Sequence, residues 1–170
     1  MRTVAVPRRE NLMKVDKARL EDINALVEMR LGYLSEDNGG LDDHVTRTIE
    51  NDLPDYFREH LNKDLFVYVI CEEKIIVSCA FLLVVEKPMS PAFINGKTGI
   101  VLNVYTCPQY RNRGYARMIM ETLLAEARER RLSDIELKAT KDGYALYRSV
   151  GFKDDQSKYR LMKWKNQEEK

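Results

Sequence analysis

Between Tyr115 and Arg131, apolar side chains recur at Ala116, Ile119, Met120, Leu123, Leu124 and Ala127, the spacing that lines one face of a helix. Arg117, Glu121, Arg128 and Glu129 fall on the opposite, wet face. Strand-like segments flank this helix, one over residues 98–106 and one over 133–139, rich in β-branched and other apolar residues. A strand, a helix and a strand in succession require a crossover, and a crossover makes the two strands parallel. The chain is therefore neither a helical bundle nor a purely antiparallel sheet, and the turn between the first strand and the helix is the place to look for chemistry.

The remaining segments build a larger mixed sheet. Leu20, Ile23, Val27, Leu31 and Leu34 share a helical face, and Asp16 stands where a cap would start that helix. A second helical stretch over 42–61 contains Pro54, which removes a backbone donor and predicts a break there. Residues 65–71 and 74–85 read as an antiparallel pair; Pro88, Pro91 and Asn95-Gly96 then mark a loop and tight turn. After the crossover, residues 144–149 predict a short helix ended by Gly151, and 159–164 a final strand. The expected class is α/β, a mixed sheet with helices on its faces. With 170 residues and 44% hydrophobic side chains the chain suits one domain, expected over residues 12–165, with an N-terminal extension over 1–11 and a frayed tail over 166–170.

Charge narrows the partners. Lys and Arg number 28 against 27 Asp and Glu, a net charge of +1, so neither nucleic acid nor an anionic membrane is the expected partner. No apolar run is long enough to span a bilayer, no secretory signal opens the chain, and a cytoplasmic location is expected. Cys71, Cys79 and Cys107 lack metal-site or redox-pair spacing; they read as thiols, two of them buried in strands, and no metal is expected.

At the turn itself stands Arg111-Asn112-Arg113-Gly114-Tyr115-Ala116. A glycine and a small residue at a strand-to-helix turn let an anion approach unpaired backbone N–H groups, and two arginines add attraction. An ordinary turn with solvated arginines would look the same. Gly96-Lys97-Thr98 mimics the end of a phosphate-binding loop, but Pro91 occupies the position where that loop needs glycine, and no Gly-x-Gly-x-x-Gly occurs.

These residues resemble the GNAT superfamily of acetyl-CoA-dependent N-acetyltransferases, whose Arg/Gln-x-x-Gly-x-Gly/Ala signature is met by Arg111, Gly114 and Ala116. Asn103-Val104-Tyr105-Thr106-Cys107-Pro108 is similar to the family's strand four and the turn after it. Ala145-Leu146-Tyr147-Arg148-Ser149-Val150-Gly151-Phe152 resembles its later Leu-Tyr-x-x-x-Gly-Phe motif. The element order from Leu12 to Trp164 agrees. The resemblance implies a mostly antiparallel central sheet, a parallel pair of strands four and five that splay apart, and helices on both faces.

It also implies a site. Val104, Tyr105 and Thr106 would bond the pantetheine arm of acetyl-CoA, and the backbone from Asn112 through Arg113, Gly114, Tyr115 and Ala116 to Arg117 would hold the pyrophosphate, with Arg111 shaping the loop. Thr140 stands where the family often has a CoA-contacting Asn. A neutral amine would attack the thioester directly, the Val104 N–H stabilising the oxyanion and Tyr147 protonating the departing thiolate. Where the family often has a Glu or His base on strand four, this chain has Ile100 and Leu102. Glu36 is the preferred candidate base, Asn103 could orient a water, and His44 and His60 read as surface residues. Eight acidic residues between Leu34 and Glu59, against Arg47 and Arg58, favour a cationic amine if they border the acceptor site.

A homodimer is a family-level expectation. A non-catalytic acetyl-CoA sensor or scaffold, and a nucleic-acid binder using Arg111, Arg113, Arg117, Arg128, Arg130 and Arg131, are the alternative readings.

Overall fold

A computed structural model describes residues 13–166. The N-terminal extension over 1–11 and the tail beyond residue 166 lie outside the described residues. Residues 13–138 form one unit and 139–166 the described part of a second.

In the first unit a five-stranded sheet carries its strands in chain order, β1 (Asp16–Lys17), β2 (Leu65–Glu72), β3 (Ile75–Glu86), β4 (Lys97–Thr106) and β5 (Ile135–Glu136). All neighbours are antiparallel except β4 and β5, which are parallel as the crossover requires. Between β1 and β2 run α1 (Ile23–Asn38) and α2 (Asp43–His60); between β4 and β5 runs α3 (Tyr115–Glu129). Glu73 and Lys74, both at positive φ, make the two-residue turn of the β2–β3 hairpin.

Six successive residues of β2, Leu65 to Ile70, are buried, which marks a strand covered on both faces. Leu65, Val67 and Val69 belong to a core shared with Leu26, Val27 and Met29 of α1 and Phe57 of α2. The alternate residues Phe66, Tyr68 and Ile70 point to the other face, where α3 buries Ile119, Met120 and Leu123 completely. Each such side chain contributes roughly 1.5–3 kcal/mol on leaving water.

Several boundaries differ from the expectation. Asp16 does not cap α1: it pairs with Val69 in β1, because the edge of β2 takes an extended partner there, and Ala18 N–H continues the pairing by donating to Val67 O. A 3-10 turn over Leu20–Asp22 leads into α1, which leaves Leu20 exposed and puts Leu26 and Met29 in the core. Pro54 does not break α2. The helix runs through it, capped by the Asp42 side chain, which accepts from Val45 N–H, and anchored by the fully buried Phe57. Of the cysteines only Cys79 is buried; Cys71, at an irregularity where β2 and β3 lose register, is exposed.

In the second unit α4 (Tyr144–Ser149) forms as expected, closed by Gly151 at φ 107°. The final strand over 159–164 does not form. None of these residues takes strand conformation, and Tyr159, Leu161, Met162 and Trp164 stay exposed.

Candidate active site

The sheet opens where β4 meets β5. Only Gly99 and Ile100 pair with β5, opposite Ile135 and Glu136, and β4 runs on to Thr106 with no further partner on that edge among the described residues. Gly99 lets the two strands close up at the joint, since a Cβ there would lie 2.9 Å from Leu82 Cδ1 and 3.1 Å from Leu132 Cδ1. Beyond it the ladder ends, and residues 101–106 have no strand partner on that edge among the described residues.

On its other edge β4 is kinked. Cys79 faces Tyr105 and Phe81 faces Leu102, so Asn103 and Val104 together oppose Ala80, a β-bulge. Asn103 takes φ 51°, a left-handed conformation that Asn tolerates better than most residues. Its side chain is buried, with Oδ1 accepting from Arg30 Nη1 at 3.1 Å and Nδ2 directed at Cys79 Sγ at 3.6 Å. Burial, partly offset by the Asn103 contact, pushes the Cys79 thiol up to about 12. Ser78 Oγ shares a 2.7 Å hydrogen bond with Thr106 Oγ1 and steadies the far end of β4. Tyr105 packs edge-on against Tyr33 of α1, and Gly32 makes room for it: a Cβ at Gly32 would come 3.0 Å from the Tyr105 hydroxyl.

The loop after β4 turns through a 3-10 segment, Pro108–Tyr110, then through Asn112 at φ 62° and Gly114 at φ 81°. Gly114 is the residue before α3, no side chain caps the helix, and a Cβ on Gly114 would meet nothing within 4 Å. Glycine is thus required by backbone conformation, and the space above it is open. The N–H groups of Tyr115, Ala116 and Arg117 have no intrahelical carbonyl to bond, and with the helix dipole they favour an anion.

The arginines of this loop are held elsewhere. Arg111 donates through Nε to Thr106 O at 2.9 Å and through Nη2 to Glu36 Oε2 at 2.6 Å, and it lies over the Tyr105 ring. Arg113 pairs with Glu72 of β2 at 2.9 Å, and the Tyr115 hydroxyl donates to the same carboxylate. Arg117 pairs with Glu121 one turn along α3. Each arginine faces a carboxylate, so the attraction expected of them is largely neutralised, and the donors left free at this turn are backbone N–H groups. Arg130 is likewise paired with Glu126, which breaks up the basic stretch that suggested nucleic acid.

Glu36, at the end of α1, is exposed, and the hydrogen bond from Arg111 holds its carboxyl below the ordinary glutamate range. That pairing keeps it ionised but makes it a weak proton acceptor. The other acidic residues between Leu34 and Glu59 are also exposed. His60 packs its ring on Tyr56 and places Nδ1 2.9 Å from Asp64 Oδ1.

In the second unit, Thr140 Oγ1 accepts from Gly143 N–H at 3.1 Å and Thr140 O accepts from Tyr144 N–H, so this threonine opens α4. The Tyr147 ring meets Phe152 edge-on, centroids 6.1 Å apart, and Gly143 leaves room for it, since a Cβ there would be 2.9 Å from Tyr147 Cε2. Tyr144 donates to Asp154.

Sequence reasoning missed the bulge and Arg30. The available signals were a polar Asn inside an otherwise apolar strand and a charge set among Met29, Leu31 and Tyr33.

The family model for acetyltransferases of the GNAT family matches residues 33–152. Among solved structures, a predicted acetyltransferase from Clostridium acetobutylicum, determined with acetyl-CoA, is 30% identical over 89% of this chain and 96% of its own, with a TM-score of 0.76. A GCN5-related N-acetyltransferase from Ralstonia eutropha JMP134 is 24% identical over 88% and 98%, TM-score 0.72. Glucosamine-6-phosphate N-acetyltransferase from Arabidopsis thaliana, 18% identical over 92% and 100%, shares the fold with a TM-score of 0.67. Among curated proteins no match was found. No described helix is long and apolar enough to cross a membrane.

Proposed function

The chain belongs to the GNAT acetyltransferase family, and from that premise we propose that it moves an acetyl group from acetyl-CoA to a primary amine. The observation that carries this reading is the pair of openings on either side of one loop: the free edge of β4 past Ile100, and the uncapped N-terminus of α3 beneath open space at Gly114. The donor set fits the cosubstrate. Backbone N–H groups around Gly114 suit a pyrophosphate, and the β5-side edge of β4 around Val104, which has no strand partner past Ile100 among the described residues, suits the amide groups of a pantetheine arm.

When bound, acetyl-CoA supplies an acetyl thioester whose carbonyl an amine can attack. The Val104 N–H, at the bulge, stabilises the charge that develops on that carbonyl oxygen. Tyr147 gives a proton to the departing thiolate. Glu36, kept ionised by Arg111, takes the amine's proton through water rather than directly. The exposed acidic residues of α2 supply a negative field that draws an ammonium group towards the mouth of the site.

Calorimetric titration with acetyl-CoA, followed by an assay of thiol release over a panel of amines, tests the reading. Saturable binding with amine-dependent release supports it. Binding without release for any amine favours the sensor or scaffold reading instead, and no binding to folded protein removes the acetyltransferase reading.

A further inference from the structure

Arg30 is the one feature beside the bulge that this mechanism leaves unused. It sits on α1, half-buried, with Nη1 3.1 Å from Asn103 Oδ1 and its guanidinium 5.8 Å from the centre of the Tyr33 ring. Asn103 is the residue before Val104, so this cation stands beside the proposed oxyanion donor.

Its partners do not balance its charge. Among residues 13–138, Arg19, Arg58, Arg111, Arg113, Arg117 and Arg130 each have a carboxylate within ion-pair distance. Arg47, Arg128 and Arg131 have none among the described residues but are exposed, where water serves. Arg30 alone is half-buried without a carboxylate in contact among the described residues; its hydrogen-bond partner is a neutral amide. Burial works against its charge, and Tyr33 and the more distant Asp37 offset that only in part. A guanidinium has five N–H donors in a planar fork, and the Asn103 bond uses one. Tyr33 and Tyr56 lie within its electrostatic reach, and burial and neighbouring carboxylates raise both phenols. A partly desolvated cation with unused donors is arranged to receive an anion.

We propose that Arg30 is a specificity-determining residue that binds the carboxylate of the acceptor, which makes the acceptor a small amino acid rather than a simple amine. The inference rests on the acetyltransferase reading and names the substrate class of that same site. One fork matches carboxylate and phosphate alike, but a phosphate dianion calls for a second cation, and the next arginine, Arg111, is already committed to Glu36, so carboxylate is favoured. The ammonium end of such an acceptor suits the acidic mouth, and its carboxylate suits Arg30, so one molecule answers both charges.

The test uses the full chain with acetyl-CoA and matched probes: the standard L-amino acids, β-alanine and 4-aminobutyrate, each beside its carboxamide. Thiol release is measured for wild type, Arg30→Gln and Arg30→Lys, and acetyl-CoA binding is titrated separately. The expected result is turnover of at least one acid with kcat/KM about tenfold or more above its amide, the size of one charge-assisted contact. Arg30→Gln collapses that ratio towards one, mainly through KM, and Arg30→Lys recovers part of it. An equal fall for acid and amide would make Arg30 a structural tether of Asn103 and overturn the proposal. Acetyl-CoA binding with no acid turned over would overturn it too, while leaving the cosubstrate site intact. Loss of acetyl-CoA binding in wild type would remove the acetyltransferase reading and this inference together.

Discussion

Glu36 and Arg111, 75 residues apart, meet at 2.6 Å and tie the end of α1 to the loop that leads into α3. Arg111 also holds the last carbonyl of β4 through Thr106, so one side chain links the strand, the loop and the helix on its far side. The pair is about half exposed, and such pairs contribute roughly 0.2–1 kcal/mol to stability. A double-mutant cycle of Glu36→Gln and Arg111→Ala in urea is expected to give a coupling energy in that range. Arg111→Ala should weaken acetyl-CoA binding more than Glu36→Gln does, because it also releases Thr106.

Gly114 is the second test of the cradle. At φ 81° any side chain is strained by about 1–2 kcal/mol, and a glutamate would also place a negative charge in the open space above the helix end. Gly114→Glu is expected to stay folded by circular dichroism and to lose saturable acetyl-CoA binding in calorimetry. Retained binding would move the pyrophosphate elsewhere.

Tyr147→Phe removes one hydroxyl and keeps the ring that packs on Phe152. If the phenol protonates the thiolate, kcat should fall on the order of 100-fold while acetyl-CoA affinity stays within about twofold. Steady-state thiol release beside calorimetry reads both quantities. Unchanged turnover across pH would remove the acid role.

Asn103 combines a positive φ with two side-chain contacts. Asn103→Ala is expected to lower stability by about 1–3 kcal/mol, from the Arg30 bond lost and the left-handed backbone forced on alanine. Asn103→Gly loses the same bond without the backbone strain, so it should be the more stable of the two by about 1 kcal/mol. Urea melts of both variants check the order; a reversed order would mean that the bulge relaxes in the alanine variant.

Glu126 on α3 gives a pH signature. Burial alone would raise its carboxyl, but hydrogen bonds from Lys17 and Arg130 outweigh that and hold it below the usual value near 4.5. A depressed carboxyl contributes stability above its unfolded pKa and loses it as pH falls through the folded one. Glu126→Gln is therefore expected to be less stable than wild type at neutral pH by about 1 kcal/mol, with the gap closing in acid. Thermal melts from neutral to acid pH measure the gap.

What the sequence disclosed followed from what local patterns can encode. The one-faced run from Ala116 to Ala127 gave α3, and the β-rich runs on both sides of Glu73 gave a hairpin, because hydrophobic period and turn chemistry are local. Glycine at 114 was readable for the same reason. The pairing of Asp16 with Val69 was not, since an edge strand of two residues takes its identity from its neighbour. Pro54 pointed to a break that tertiary anchoring at Phe57 overrode. At the site, the Glu36–Arg111 and Arg30–Asn103 contacts join residues far apart in the chain, and nothing in either segment announces the other.

The chain-order sheet also bears on how the protein comes to fold. Strands β2, β3 and β4 form a meander in which each pairs with the strand made just before it, so these pairings close short loops and cost little chain entropy. The β4–β5 contact must wait for all of α3 to span the crossover, and two residue pairs then hold it. The meander is expected to assemble early and the parallel joint late, so the loop that carries Gly114 takes its working shape in the last step of folding.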